Sequence, residues 1–426
     1  MGIFLPLFVY FLISGIPIAL ALGAGAAIYF YVMGYGNLIL AWPQRMIAGV
    51  DQFVLLTIPL FILAGALMNF GGITDRIINF SRAYVGHRRG GLSSVTVLSS
   101  MMFAGISGSA IAEASALGSI LIPAMARQGI PPAYAAALVG VSAVLGPIIP
   151  PSITMIIFGV LAGASIGQLL IAGVVPGLIL GFSLLAYAVW NAKRLNLPIS
   201  PRVDWAERRA LTIKTLPALF LPIIIVAGIK FGIFTATESA AVAVVYALAV
   251  GFLYRELTLR LAWRALVTTA ILASAINFIV AMANIVSFVF TLEQVPAQIS
   301  GFILSISDNP IVIILMLNVV LLLLGMFLEP VSILILTMPI LLALQKVIGM
   351  DIIQFGTMVV LNVVIGMATP PVGVCLFIVC AISGRSLTEV SWAALPLLAV
   401  CIAVLGLVAF VPEITLFLPR AFGAPH

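Results

Sequence analysis

The stretch whose reading decides the fold is residues 142–157, "SAVLGPIIPPSITMII". It lies inside a long apolar run that reads as crossing a membrane, yet it carries Gly146, Pro147, Pro150 and Pro151. Proline removes a backbone donor and clashes with the carbonyl four residues earlier, so a helix is broken there. In hydrocarbon, such a break is tolerated only where protein or a water-filled cavity satisfies the freed groups. The second half of the chain repeats the device in residues 363–378, "VVIGMATPPVGVCLFI".

The surroundings of both stretches are apolar too. Of 426 residues, 63% are hydrophobic and only 8% charged, with a mean hydropathy of +1.31. Soluble domains carry roughly 25% charged residues, so the composition indicates an integral, all-α polytopic membrane protein made of apolar blocks of ~20 residues. The N-terminal run to about Val32 has no charged leader region and no cleavage site, and reads as a retained span. Cys375, Cys380 and Cys401 all lie in apolar segments and form neither a metal spacing nor an even disulfide set. His87 and His426 are too few and too far apart to hold a metal. The formal charge of +6 fits loops held on the cytoplasmic side.

The two halves correspond. Glu113 lies ten residues before Pro123 and Glu329 ten before Pro339, so both pairs are offset by 216, while Pro150 and Pro370 are offset by 220. Each half reads as a span, a surface piece, a span, a pair of half-length apolar pieces and a broken span. The first repeat is expected over 1–190, with a hairpin at about 92–126 and the broken helix at about 132–163. A cytoplasmic connecting loop at 191–214 leads to the second repeat over 215–426, with a hairpin at about 310–345 and the broken helix at about 353–382. If each pair dips in and returns to its own side, with the N-terminus cytoplasmic and the C-terminus periplasmic, only Arg45, Lys230, Lys346 and Arg420 fall outside. The other 15 of the 19 basic residues then fall inside, the expected bias. This threading makes the repeat inverted and the hairpins re-entrant and facing.

Each break and each hairpin tip offers one helix end with free carbonyls and one with free N–H groups, carrying partial charges of roughly half an electron. Carbonyl ends suit a cation and N–H ends an anion, the arrangement of secondary transporters built from inverted repeats. "GISGS", with Ser107 and Ser109, is the first tip. Glu113 and Glu329 follow the two tips; each either complements a helix dipole or serves as an intramembrane coupling acid. Glu238 after Thr237 reads as a helix cap. "RELTLRLAWRALV" reads as an amphipathic surface helix, with its counterpart around Trp42. No metalloprotease, phosphate-loop or Ser/His/Asp pattern is present, so an enzyme is not expected and energy must come from an ion gradient or a partner.

"FAGISGSAIAEASALGSILIPAM", "GPIIPPSI", "FTATESAAVAVVYAL" and "GMATPPVG", in that order, resemble the large membrane subunit (M, DctM-like) of tripartite ATP-independent periplasmic (TRAP) transporters. The resemblance implies sodium-driven uptake of a carboxylate solute such as a C4-dicarboxylate, sialic acid or another sugar or keto acid, by an elevator mechanism. It implies a bacterial or archaeal inner membrane, a separate small four-helix membrane subunit and a periplasmic solute-binding protein. Carried over by motif, one sodium site lies between Ser107 and Ser109 and the first break at Gly146, Ile149 and Pro151. The other lies between Gly325 and the second break at Gly366, Thr369 and Pro371. The solute is expected near Ser109, Thr369 and Glu113. Two departures stand out: the second tip, "GMFLEP", has no serine, and the family's "TPTE" proline is Ala236. A stand-alone sodium–dicarboxylate or anion carrier of the same architecture is the closest alternative.

Overall fold

The computed structural model describes residues 4–421; His426 lies outside them. The regular structure of the described residues is all helical, with short 3-10 turns, irregular connections and one isolated bridge between Arg89 and Ile199. Nine of their helices are long and apolar enough to cross a membrane. Many large apolar side chains on these helices are exposed, Val245, Ile271 and Val319 among them, as a surface facing lipid tails requires.

Glycine and proline set the boundaries. The N-terminal run is two helices, Phe4–Ile13 and Ile18–Val32, rather than one span, because Gly15 takes a positive φ and Pro17 ends the backbone pattern. Phe4 packs edge-on against Phe290 at 5.9 Å, within a small core that joins these helices to the end of Leu259–Leu292. That last helix is continuous for 34 residues, or about 50 Å at 1.5 Å per residue. The amphipathic piece around Trp263 is therefore its first turns and not a separate surface helix. Its counterpart does stand alone, as Trp42–Val50.

The paired pieces are longer than their apolar cores suggest. The first hairpin is Gly91–Ser107 and Ala110–Arg127, bounded by Gly90 and turned at Gly108, both left-handed. The second is Pro310–Phe327 and Pro330–Ile348. Each broken helix consists of two segments: Pro132–Ser142 and Ile153–Ala162, then Ile352–Gly366 and Val374–Ser383. Packing between them is reciprocal. The returning limb Ala110–Arg127 lies on Val374–Ser383, and the returning limb Pro330–Ile348 lies on Ile153–Ala162. Around this centre run Thr57–Phe70, Ala236–Leu253 and Leu259–Leu292, the last two both packing on the first, with the Thr57 and Thr237 hydroxyls bonded at 2.9 Å. The stretch 191–214 is helical at both ends, leaving 195–204 as the irregular connector between Val174–Arg194 and Trp205–Lys230.

Candidate functional site

The first tip is built by local hydrogen bonding. Helix Gly91–Ser107 stops where Gly108 turns left-handed, and Ser109 restarts the chain by accepting the N–H of Ala112 at 3.4 Å. The Ser107 hydroxyl leans on the Ser109 carbonyl at 3.3 Å. The tip presses on the first break. A methyl group on Gly108 would stand 2.5 Å from the Pro151 carbonyl oxygen, and one on Gly146 would stand 3.2 Å from that of Ser109. Ser107, Ser109, Gly146 and Pro151 therefore share one small region. Ile149 belongs to the same break, but its side chain packs outward against Gly177.

Within the break, Ser152 caps Ile153–Ala162 by accepting the N–H of Met155 at 3.1 Å, and donates to the carbonyl of Pro147. Among the described residues, nothing donates a hydrogen bond to the carbonyls of Gly146, Ile149 and Pro151, although these residues are buried or half-buried. Unpaired buried carbonyls are costly, and backbone carbonyl oxygens are ligands that a hard monovalent cation can take in place of its water shell. The residues present fit such an ion.

The second tip differs. Gly325 and Gly366 bring two backbones together: a methyl on Gly366 would stand 2.5 Å from the Gly325 Cα. The tip carbonyl of Met326 accepts the N–H of Gly373 at 3.0 Å, tying tip to break. Thr369 is buried; its hydroxyl donates to Ile365 at 2.8 Å and its N–H to Gly366 at 2.9 Å. Among the described residues, nothing donates to the carbonyls of Gly325 and Thr369, so backbone again provides the free oxygens. Pro371 is exposed and faces a separate outer groove beside Trp392 and Leu395. It is the member of the expected set that stands apart.

Both tips open on one cavity of about 330 Å³. Ser107, Gly108 and Ser109 line it from the first tip, Pro147 and Thr154 from the first break, Glu329 and Pro330 from the second tip, and Met367 from the second break. Thr57–Phe70 and Leu259–Leu292 close it on the outer side. The two acids part company here. Glu329 holds the N-cap position of its helix without a side-chain cap bond and opens on the cavity. Glu113 is 0% exposed, sits behind Gly146, and has no hydrogen-bond partner on either carboxylate oxygen. It is not among the residues that line the cavity. Thr369 is not among the lining residues either. The Pro-Pro reading missed Thr154, Gly65 and Asn69 in the lining, and also a polar pair behind the second break. There the Asn362 amide donates to the backbone and side-chain oxygens of Asn318 at 2.9 and 2.7 Å. Two asparagines inside apolar runs were the available signal.

Long apolar helices, paired hairpins and interrupted helices around a central cavity define a polytopic membrane transporter. The fold is similar to that of the Alcanivorax borkumensis YdaH transporter, with a TM-score of 0.66 at 12% identity over 95% of this chain and 97% of that one. A sequence profile of the family described as tripartite ATP-independent periplasmic transporter, DctM component, matches residues 5–414, and the chain belongs to that family. It is 36% identical over 412 residues to the sialic acid TRAP transporter large permease protein SiaM of Vibrio cholerae, covering 96% of each. To the C4-dicarboxylate TRAP transporter large permease protein DctM of Pseudomonas aeruginosa it is 39% identical over 374 residues, covering 88% of each. The chain is thus a TRAP transporter subunit and a multi-pass inner-membrane protein, whose relatives are permeases and not enzymes.

Proposed function

We propose that the chain is the large permease of a sodium-driven uptake system for an organic acid. The acid is a C4-dicarboxylate, a sialic acid or another sugar or keto acid, a range that takes in the cargoes named for the Vibrio cholerae and Pseudomonas aeruginosa relatives. A periplasmic binding protein delivers it, and a separate small four-helix membrane subunit completes the assembly. The observation that carries the reading is the cavity on which both tips and both breaks converge. The reciprocal packing of each returning limb on the other half's broken helix supports an inverted repeat with re-entrant hairpins. The distribution of basic residues supports a cytoplasmic N-terminus and a periplasmic C-terminus.

One sodium ion binds at Ser107, Ser109, Gly146, Ile149 and Pro151, and another at Gly325, Gly366 and Thr369, with Pro371 at the outer edge. The solute lies in the cavity beside Ser109, where the N-terminus of Ala110–Arg127 offers N–H groups to a carboxylate. Hairpins and broken helices move as one body against Thr57–Phe70, Ala236–Leu253 and Leu259–Leu292 in an elevator motion. The test is uptake of a labelled carboxylate panel into proteoliposomes, with and without an inward sodium gradient, the small subunit and the binding protein. Uptake that requires all three is the expected result. Uptake by the chain alone would make it a stand-alone carrier, and sodium-independent uptake would remove the ion sites.

A further inference from the structure

Away from the cavity, the loop after helix Ile73–Val85 gathers positive charge without an acid to balance it. Arg208, near the start of Trp205–Lys230, is only 9% exposed, and its Nε and one Nη are buried with no hydrogen-bond partner. Its guanidinium lies over the Tyr84 ring, 5.3 Å from the centroid, and has no ion-pair partner among the described residues. His87 has a buried, unpartnered Nδ1; burial and the charges of Arg202, Arg208 and Arg88 hold its imidazole below the ordinary value. The nearby acids are turned elsewhere: Asp204 caps its own helix by accepting the N–H of Ala206 at 3.4 Å, and Glu207 is exposed.

The segments that carry this basic cluster are tied together. Gly90 donates its N–H to Pro198 at 2.9 Å, and the hydroxyls of Tyr84 and Thr212 are bonded at 2.9 Å. Trp190, Trp205 and Ile199 are exposed on the neighbouring stretch of chain that includes Arg202 and Arg208. Exposed tryptophans of a membrane protein mark the depth of the lipid headgroups.

We propose that this basic cluster binds the phosphate of an anionic phospholipid, with Arg208 as the buried anchor and His87, Arg88 and Arg202 around it. Guanidinium matches phosphate with paired, charge-assisted bonds, and basic pockets at headgroup depth select anionic lipids. Free phosphate offers the same oxygens but no acyl chain to cover Ile199 and the two tryptophans. A bound lipid joins Trp205–Lys230 to the loop that feeds the first hairpin.

The test is thermal unfolding of the full chain in a non-ionic detergent, titrated separately with phosphatidylglycerol, phosphatidylcholine and inorganic phosphate. Phosphatidylglycerol alone is expected to raise Tm saturably. Arg208→Gln is expected to raise the half-saturating lipid concentration about tenfold or more, the worth of a hydrogen bond to a charged group. Arg202→Gln, at an exposed position, should raise it about fivefold and decides the matter if the first variant fails to fold. An equal shift with phosphatidylcholine, an equal shift with inorganic phosphate, or an unchanged half-saturation in the folded variants would overturn the proposal.

Discussion

Gly366→Ala tests the crossing on which the second tip depends. The added methyl would lie 2.5 Å from the Gly325 Cα, 2.7 Å from its carbonyl carbon and 3.1 Å from its carbonyl oxygen. Carbon atoms in contact sit roughly 3.5–4.0 Å apart, so the two helices must separate by about 1 Å. No side chain can move aside, because every clashing atom is backbone. Overpacking costs about 1–3 kcal/mol, and a backbone collision belongs at the upper end, which corresponds to more than about a hundredfold in an equilibrium. We expect a clear fall in the Tm of the purified protein and loss of solute uptake in proteoliposomes. Gly406→Ala is the control, since nothing lies within 4 Å of its added methyl; it should leave both readings unchanged or raise stability slightly through helix propensity. Wild-type Tm and uptake in Gly366→Ala would refute the close crossing.

Other perturbations separate the remaining parts of the site. Asn362→Ala removes the donor to both oxygens of Asn318 and should cost about 1–3 kcal/mol, read by thermal unfolding; an unchanged Tm would show that the pair carries no stability. Ser109→Ala removes a long cap bond of 3.4 Å, so stability should drop by about 1 kcal/mol or less. If the hydroxyl also ligates sodium, half-saturating sodium in uptake should rise about fivefold, and an unaltered sodium dependence would exclude Ser109 as a ligand. His87 sets a pH dependence. Because burial and its arginine neighbours disfavour the charged form in the folded state, the unfolded chain takes up this proton first. Stability is then full above the ordinary imidazole value of 6.5 and falls as pH drops through it. Tm measured between about pH 5 and 8 should show this fall, and His87→Gln should flatten it.

Much of the molecule was legible because the bilayer leaves a sequence few choices. Apolar length, the lack of charge and the paired prolines determined an all-helical membrane protein with interruptions at Gly146–Pro151 and Gly366–Pro371. Single prolines such as Pro123 and Pro339 stay inside continuous helices, whereas each paired proline beside a glycine marks a break, because two donors are lost together. Tip glycines were equally readable, since the left-handed turn at Gly108 suits a residue without a side chain. Helix extents were less so. The run through Trp263 looked like a surface piece because its charges are local, but hydrogen bonding carried the helix through to Leu292.

Only the tertiary structure decided how similar residues divide their roles. Glu113 and Glu329 occupy matching positions in the two halves, yet one is sealed behind Gly146 and the other opens on the cavity. Thr369 and Pro371 are two residues apart, yet one is buried and the other faces an outer groove. Asn318 and Asn362 read as isolated polar residues until helix packing made them partners. Burial and pairing are properties of the contacts between distant segments, and no local pattern encodes which side of a backbone a neighbouring helix will cover.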